Sequence, residues 1–261
     1  MTAPRATVFG EVAGLYDRIR PRYPPAMFDD LVDVAGLEPG ASVLEIGPGT
    51  GIATAELLDR GFEVTGVDPD ERMLDLARAR LSRPLHLLQA RFEDFDGDPS
   101  SFDLVFAAGS WHWIDPDDAL PRVARLLRAR GSLAVCWNLP RPGGSNRPTG
   151  LDDAYRVIAP ELASTASQVR DRTQEHRRVV IANSGLFAQT ASFGYRWSRA
   201  LTTDEYCDLL ATHSDHRLLG RERLATLLKA VAAIVVDAGG VIDLAYETVM
   251  YVARRRDRLR P

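Results

Sequence analysis

The stretch Val43-Leu44-Glu45-Ile46-Gly47-Pro48-Gly49-Thr50-Gly51 constrains this chain more than any other. An apolar run with one acid leads into glycines at alternate positions and then into Ile52-Ala53-Thr54-Ala55-Glu56-Leu57-Leu58. That order predicts buried strand, tight turn and helix. Glycine lacks a Cβ, so the turn can take positive φ and let a ligand approach the main chain, while the helix that follows offers unpaired N–H groups. A purely structural strand-to-helix turn is the plainer alternative. The dinucleotide fingerprint GxGxxG requires its third glycine at position 52, where this chain has isoleucine.

The loop is GxGxG with an acid two residues before its first glycine, and this spacing resembles motif I of the class I S-adenosylmethionine (SAM)-dependent methyltransferases. The resemblance implies a doubly wound, mostly parallel seven-stranded α/β sheet with helices on both faces. It implies SAM as cofactor and S-adenosylhomocysteine as product, held by Glu45, Gly47, Pro48, Gly49, Thr50 and Gly51. The alternation of strands and helices from Val43 to Trp137 independently fits a doubly wound sheet, closed by two late strands.

Glu63-Val64-Thr65-Gly66-Val67-Asp68 reads as the second strand, with Pro69-Asp70 starting a helix that buries Met73, Ala77 and Leu81. An acid at that strand's tip can accept bonds from both ribose hydroxyls, which is the role expected of Asp68; a helix N-cap is the alternative. The resemblance adds Pro69, Met73 and Ala108 to the cofactor pocket. Leu85 to Gln89 reads as the third strand. In the loop Arg91-Phe92-Glu93-Asp94-Phe95, Phe92 against the adenine and Glu93 nearby are weighed against simple loop packing, because Arg91 stands where many family members carry an acid.

Phe102 to Ala108 is the fourth strand, and it delivers Gly109-Ser110-Trp111-His112-Trp113-Ile114 to the same edge of the sheet. This run lacks the Asn/Asp-Pro-Pro-aromatic turn of enzymes acting on nucleic-acid or glutamine amides. It resembles a small-molecule branch that includes trans-aconitate methyltransferase. Trp111, His112 and Trp113 are then expected to frame the acceptor. His112 either holds or deprotonates it, or shapes the turn between two indoles.

Asp115 and Pro116 suit a helix start, Gly131 is expected to end that helix, Ser132 to Trp137 is the fifth strand, and Pro140 to Gly150 a loop. Arg122, Arg125 and Arg128 read as a solvated face. Late strands are expected over Phe187 to Trp197 and Val241 to Ala253, joined by helices near 204–211 and 221–238.

A single domain is expected over residues 1–261, with a SAM-binding core at 42–138. Residues 8–24 form an N-terminal strap; in similar methyltransferases such a segment folds over the cofactor, which makes Tyr16 and Tyr23 contacts to its methionine end. Residues 199–237 are read as a helical lid, from which His213, His216 and Arg217 face an acceptor. With Arg20 and Arg22 across the cleft, their basic character favours an acceptor that bears a carboxylate or other anion.

Composition sets the outer limits. The 261 residues are 45% hydrophobic and 26% charged, ordinary for a globular chain with one substantial core. A net charge of −4 from 32 basic and 36 acidic side chains argues against a nucleic-acid partner. Cys136 and Cys207 lie far apart and form no metal-binding pattern; the His/Ser/Asp/His cluster in Thr212-His213-Ser214-Asp215-His216 invites a hydrolase or metal reading, but its residues are too close in sequence for a serine triad and no further ligand cluster supports a metal, so no metal is expected. No apolar signal segment and no span long enough for a bilayer is visible, which predicts a cytoplasmic protein with no membrane partner. An NAD-dependent oxidoreductase would share the fold, but the chain has a single lysine, Lys229, and no Tyr-x-x-x-Lys pair. A SAM-binding protein without catalysis stays open, as do the acceptor's nucleophilic atom and the oligomeric state.

Overall fold

The computed structural model describes residues 13–81, 83, 85–141, 148–162 and 179–256. Residues 8–12 of the expected strap, 142–147 of the expected loop and the tail from 257 lie outside the described residues.

The strap contributes helix α1 (Ala13–Ile19) and an extended run to Pro24. Pro25 then occupies the first turn of α2 (Pro25–Ala35), where its missing N–H costs nothing, and Gly36 ends the helix in the left-handed conformation at φ 65°. Strand β1 (Ser42–Ile46) is followed by α3 (Ile52–Asp59), β2 (Glu63–Asp68), α4 (Glu71–Arg80), β3 (His86–Gln89) and β4 (Phe102–Ala108). Next come α5 (Pro116–Leu126), β5 (Leu127–Arg141), α6 (Leu151–Ile158) and β6 (Phe187–Thr202). The chain closes with α7 (Thr203–Ala211), α8 (Ser214–Arg217), α9 (Arg221–Asp237) and β7 (Val241–Arg255).

The seven strands form one sheet in the order β3-β2-β1-β4-β5-β7-β6. The first five run parallel, and β7 pairs antiparallel with both β5 and β6. Alternate residues of the central strands feed opposite faces. Val43, Leu104 and Phe106 join a cluster with Phe28 and Leu57, whereas Leu44, Val105 and Ala107 join Trp111, Val123 and Leu126. The order reverses between β1 and β4, so their carboxyl ends open the crevice in which α/β sheets of this kind bind ligands. A third cluster, including Leu201, Leu210, Leu227 and Val231, forms the core of the α7–α9 segment and takes in Ile19 from the strap.

Three boundaries differ from the sequence reading. Helix α5 stops at Leu126, because Leu127 already pairs with Phe102 and the chain turns through Arg130 at φ 65°. Strand β5 runs past Trp137 to Arg141, carried by antiparallel pairing that reaches Arg141 opposite Ala245. The expected lid begins inside β6, since residues 199–202 pair with β7. The two late strands lie outside β5, with β7 between β5 and β6. The arginines expected on a solvated face serve as ties: Arg122 of α5 donates to the Phe95 carbonyl at 2.8 Å, and Arg128 at the start of β5 pairs with Asp103.

Burial predicts where the sheet is sensitive. Phe106→Ala, in the middle of β4 and fully buried, should cost about 3–5 kcal/mol. Leu88→Ala, 45% exposed on the edge strand β3, should cost less than about 0.5 kcal/mol. Urea midpoints of the two variants test this, and equal losses would contradict the placement.

Candidate cofactor and acceptor site

The glycine loop sits at the carboxyl end of β1 against the tips of β2 and β4. Gly47 has φ 67°, and a Cβ there would lie 2.6 Å from Ser110 Cβ, so both conformation and space demand glycine. Ser110 also donates its hydroxyl to the Ile46 carbonyl, locking the β4 tip against the loop. Gly49 is different. At φ 57°, a Cβ there would meet only Met73 Cε at 3.4 Å, so this stretch of main chain faces space that the protein does not fill. Helix α3 starts at Gly51 without a side-chain cap, leaving its first N–H groups available.

Two carboxylates converge on the loop. Asp68 accepts from the Gly49 N–H at 3.1 Å through one oxygen and from the Asp70 N–H at 2.9 Å through the other. Asp70, not Asp68, is the N-cap of α4, accepting from the Arg72 N–H. Each Asp68 oxygen keeps a further lone pair for a ligand hydroxyl. Glu45 is fully buried on β1; one oxygen takes a hydrogen bond from Thr54 at 2.6 Å and the other is buried with no partner. Burial pushes the Glu45 carboxyl up to about 7, against the Thr54 bond and helped by the nearby Asp68. Burial likewise raises Asp68 to about 6, although its two backbone bonds pull the other way. An orphaned buried carboxylate oxygen beside an open glycine surface fits a ligand that brings a cationic amine and vicinal hydroxyls.

The strap is fastened over this loop at several points. Thr50 donates to Asp17 at 2.9 Å, and Arg80 pairs with the same carboxylate. A Cβ on Gly109 would lie 3.2 Å from the Tyr23 hydroxyl, which places that phenol over the β4 tip. Asn138 donates to the carbonyls of Pro21 and Arg22 at 3.3 and 3.4 Å, and accepts from Thr248 at 2.6 Å; Thr248 in turn accepts from the Trp197 indole at 2.8 Å. Arg20 donates to the Thr212 carbonyl and Arg199 to the Ile19 carbonyl, both at 2.7 Å, joining the strap to the α7–α9 segment. Asp17, Thr54, Asn138 and Thr248 were not singled out from sequence. Only Thr54, on the first turn of the helix after the loop, carried a local signal.

The expected acceptor residues separate. Trp111 is 1% exposed and belongs to the apolar core with Leu44 and Val123, so it supports the turn from beneath and does not frame the cleft. Phe92, 3% exposed, is in the same core, while half-buried Glu93 pairs with Arg91 at 3.2 Å. Half-buried His112 and Trp113 stay near the crevice with ring centroids 4.6 Å apart. The Trp137 indole donates to His112 Nδ1 at 3.4 Å, which puts the proton of the neutral ring on Nε2. Met73, Pro69 and Ala108 line the same end of the sheet, with Met73 4% exposed.

In the α7–α9 segment, both ring nitrogens of His216 are engaged, Nδ1 by Asp215 at 2.8 Å and Nε2 by the Tyr155 hydroxyl at 2.7 Å. The ligand atoms of His213, Asp215 and His216 all lie within 4.8 Å of one another, so the cluster visible in the sequence is also compact in space.

The methyltransferase domain model matches residues 44–135, which covers the glycine loop, Asp68 and the Trp111–Trp113 turn. An uncharacterized methyltransferase from Mycobacterium tuberculosis strain H37Rv is 44% identical over 206 residues, 79% of this chain and 76% of its own. Among solved structures, Haemonchus contortus phosphoethanolamine N-methyltransferase 2, bound to phosphomonomethylethanolamine and S-adenosylhomocysteine, aligns with a TM-score of 0.55 at 16% identity over 98% of this chain and 59% of that one. A candidate type II methyltransferase from Anaeromyxobacter dehalogenans aligns with a TM-score of 0.59 at 24% identity over 90% and 97% of the two chains.

The fold and the relatives make this chain a methyltransferase. It belongs to the class I SAM-dependent methyltransferases, as the glycine loop implied.

The raised carboxyls set a pH signature for the ligand-free protein. Their folded values, about 7 and about 6, lie above the unfolded ones, so each group holds a proton longer when folded. Stability should therefore fall as pH rises from the ordinary carboxylate range through about 7. Glu45→Gln should flatten that fall. Urea midpoints at pH 5 and pH 7.5 check it, and an identical slope in the variant would contradict the shift at Glu45.

Proposed function

We propose that this methyltransferase acts in the cytoplasm on a small molecule bearing an anionic group, and that it works by aligning and drying the reactants and uses no strong base. The observation that carries this reading is the fastened strap. Bonds from Thr50, Asn138, Arg199 and Arg20 tie residues 17–22 to the loop, the sheet and the α7–α9 segment, a cover that suits a compact acceptor better than a duplex. A net charge of −4 also disfavours nucleic acid, and no helix among the described residues is long and apolar enough to cross a membrane.

Bound in this site, SAM supplies a methyl group activated on a sulfonium sulfur. Asp68 would accept from the ribose hydroxyls, and the orphaned oxygen of Glu45 would face the cationic methionine end. Gly47, Pro48, Gly49, Thr50 and Gly51 give the main chain its close approach, with Pro69, Met73, Ala108 and Glu93 around the adenosine and Phe92 packed behind. Tyr16 and Tyr23 exclude water, which strengthens every charge interaction inside. His112 would hold the acceptor through its Nε2 proton, beside Trp113 and above Trp111. Residues 199–237 would act as the selecting lid, with His213 on the acceptor side and His216 held in place by Tyr155 and Asp215. None of these roles calls for a metal.

Two measurements test the reading. Labelled SAM incubated with a metabolite pool should mark a small anionic product; label found only in protein or nucleic acid would contradict it. His112→Ala should lower turnover by less than about tenfold without removing a limb from the pH profile. A loss of about a hundredfold, together with a vanished limb near neutrality, would make His112 a general base instead.

A further inference from the structure

The corner between α7 and α8 gathers two imidazoles and a carboxylate within four residues, His213 to His216. Helix α7 closes on Thr212, His213 is the N-cap of α8, and the His213 carbonyl accepts from the Arg217 N–H at 3.0 Å, so the chain makes one tight turn. Residues three apart on such a turn share a side, which sets the His213 and His216 rings 5.3 Å apart and nearly edge to face. One donor atom from each of His213, Asp215 and His216 lies within 4.8 Å of the other two. Donors held by a tetrahedral ion at about 2.0–2.2 Å stand about 3.4 Å apart, so closure needs a shift of about 1 Å in the half-buried His213 and Asp215 side chains.

His216 is the fixed member of the set. It is 6% exposed, and the Tyr155 hydroxyl on α6 meets its Nε2 at 2.7 Å. One oxygen of Asp215 lies 2.8 Å from both the backbone nitrogen and Nδ1 of His216. With the ring proton on Nε2 and turned to the Tyr155 oxygen, Nδ1 presents its lone pair toward Asp215. A ligating histidine is held in this way, with one nitrogen on the metal and the other N–H on a neighbouring oxygen. Charge narrows the choice of ion. Arg217 follows in the chain and Arg20 reaches the Thr212 carbonyl at 2.7 Å, while Asp215 is the single carboxylate of the set. Magnesium or calcium, drawn by charge to oxygen donors, is disfavoured there; two imidazoles and one carboxylate suit an ion of the zinc type.

We propose that His213, Asp215 and His216 bind a divalent transition-metal ion of the zinc class, with Tyr155 as the positioning residue that holds the His216 ring. Three protein ligands leave the fourth position of the ion to water. The linear chain shows the three ligands but not Tyr155, which α6 brings in from 61 residues away. The bound ion would stiffen the corner to which Arg20 fastens the strap. None of these four residues is asked to hold SAM, so the metal site stands or falls apart from the cofactor reading.

The test is isothermal titration of the whole chain, first stripped with a chelator and dialysed, with zinc chloride and with magnesium chloride; cobalt chloride reports coordination through its visible absorption. The wild type should bind one zinc ion per chain with a dissociation constant of about 1 μM or tighter and ignore magnesium, and cobalt should give the intense bands of a four-coordinate site. His213→Ala and Asp215→Asn should each weaken zinc by about tenfold or more. Tyr155→Phe should weaken it by about tenfold and shift the cobalt bands, because the His216 ring loses its outer partner. A wild type that binds no zinc at about 0.1 mM overturns the assignment. So does zinc affinity unchanged in both His213→Ala and Asp215→Asn, which would put the ion elsewhere, and magnesium bound as tightly as zinc overturns the class of ion. Unchanged cobalt bands in Tyr155→Phe remove its positioning role. Should one ligand variant fail to fold, the other carries the same reading, checked by a zinc-dependent rise in melting temperature that the wild type shows and the variant loses.

Discussion

The carboxylate of Asp68 joins two strand tips that the chain order keeps apart. One oxygen holds the Gly49 N–H and the other the Asp70 N–H, so the loop after β1 and the loop after β2 are set by a single side chain. Water is nearly excluded there, with Asp68 at 8% exposure and Glu45 at 0%. Burial raises the affinity of both acids for protons, with Asp68 adding to the effect at Glu45 and Asp70 to that at Asp68, and a nearby cation would oppose it.

The strap depends on that loop in turn. Asp17 grips Thr50, while Asn138, Thr248 and Trp197 form a polar chain that reaches from β5, β7 and β6 to the strap carbonyls of Pro21 and Arg22. Arg20 and Arg199 then tie the strap to the α7–α9 segment, whose apolar core includes Ile19. Glycine loop, strap and α7–α9 segment are thus one connected network, and movement of the strap would be felt on both sides of the crevice.

Much of this was legible in the sequence because it is local. Glu63–Asp68 and Phe102–Ala108 carry their strand pattern within a few residues, and the glycine spacing announces a sharp turn wherever it occurs. What was missed depends on distant partners. The end of β5 at Arg141 is set by a strand about a hundred residues later, and nothing near Pro140 signals it. Trp111 and Trp113 looked alike in the chain, yet the 3₁₀ turn Trp111–Trp113 sends the first into the core and leaves the second half-buried. Asn138 and Thr248 become a strap anchor only once β5 and β7 pair.

Titration calorimetry with S-adenosylhomocysteine and NAD, on the wild type and on Asp68→Ala, tests the carboxylate-centred site most directly. The wild type should bind S-adenosylhomocysteine and ignore NAD, and a folded Asp68→Ala should bind it about tenfold or more weakly. Undiminished affinity in a folded Asp68→Ala would contradict the role of Asp68.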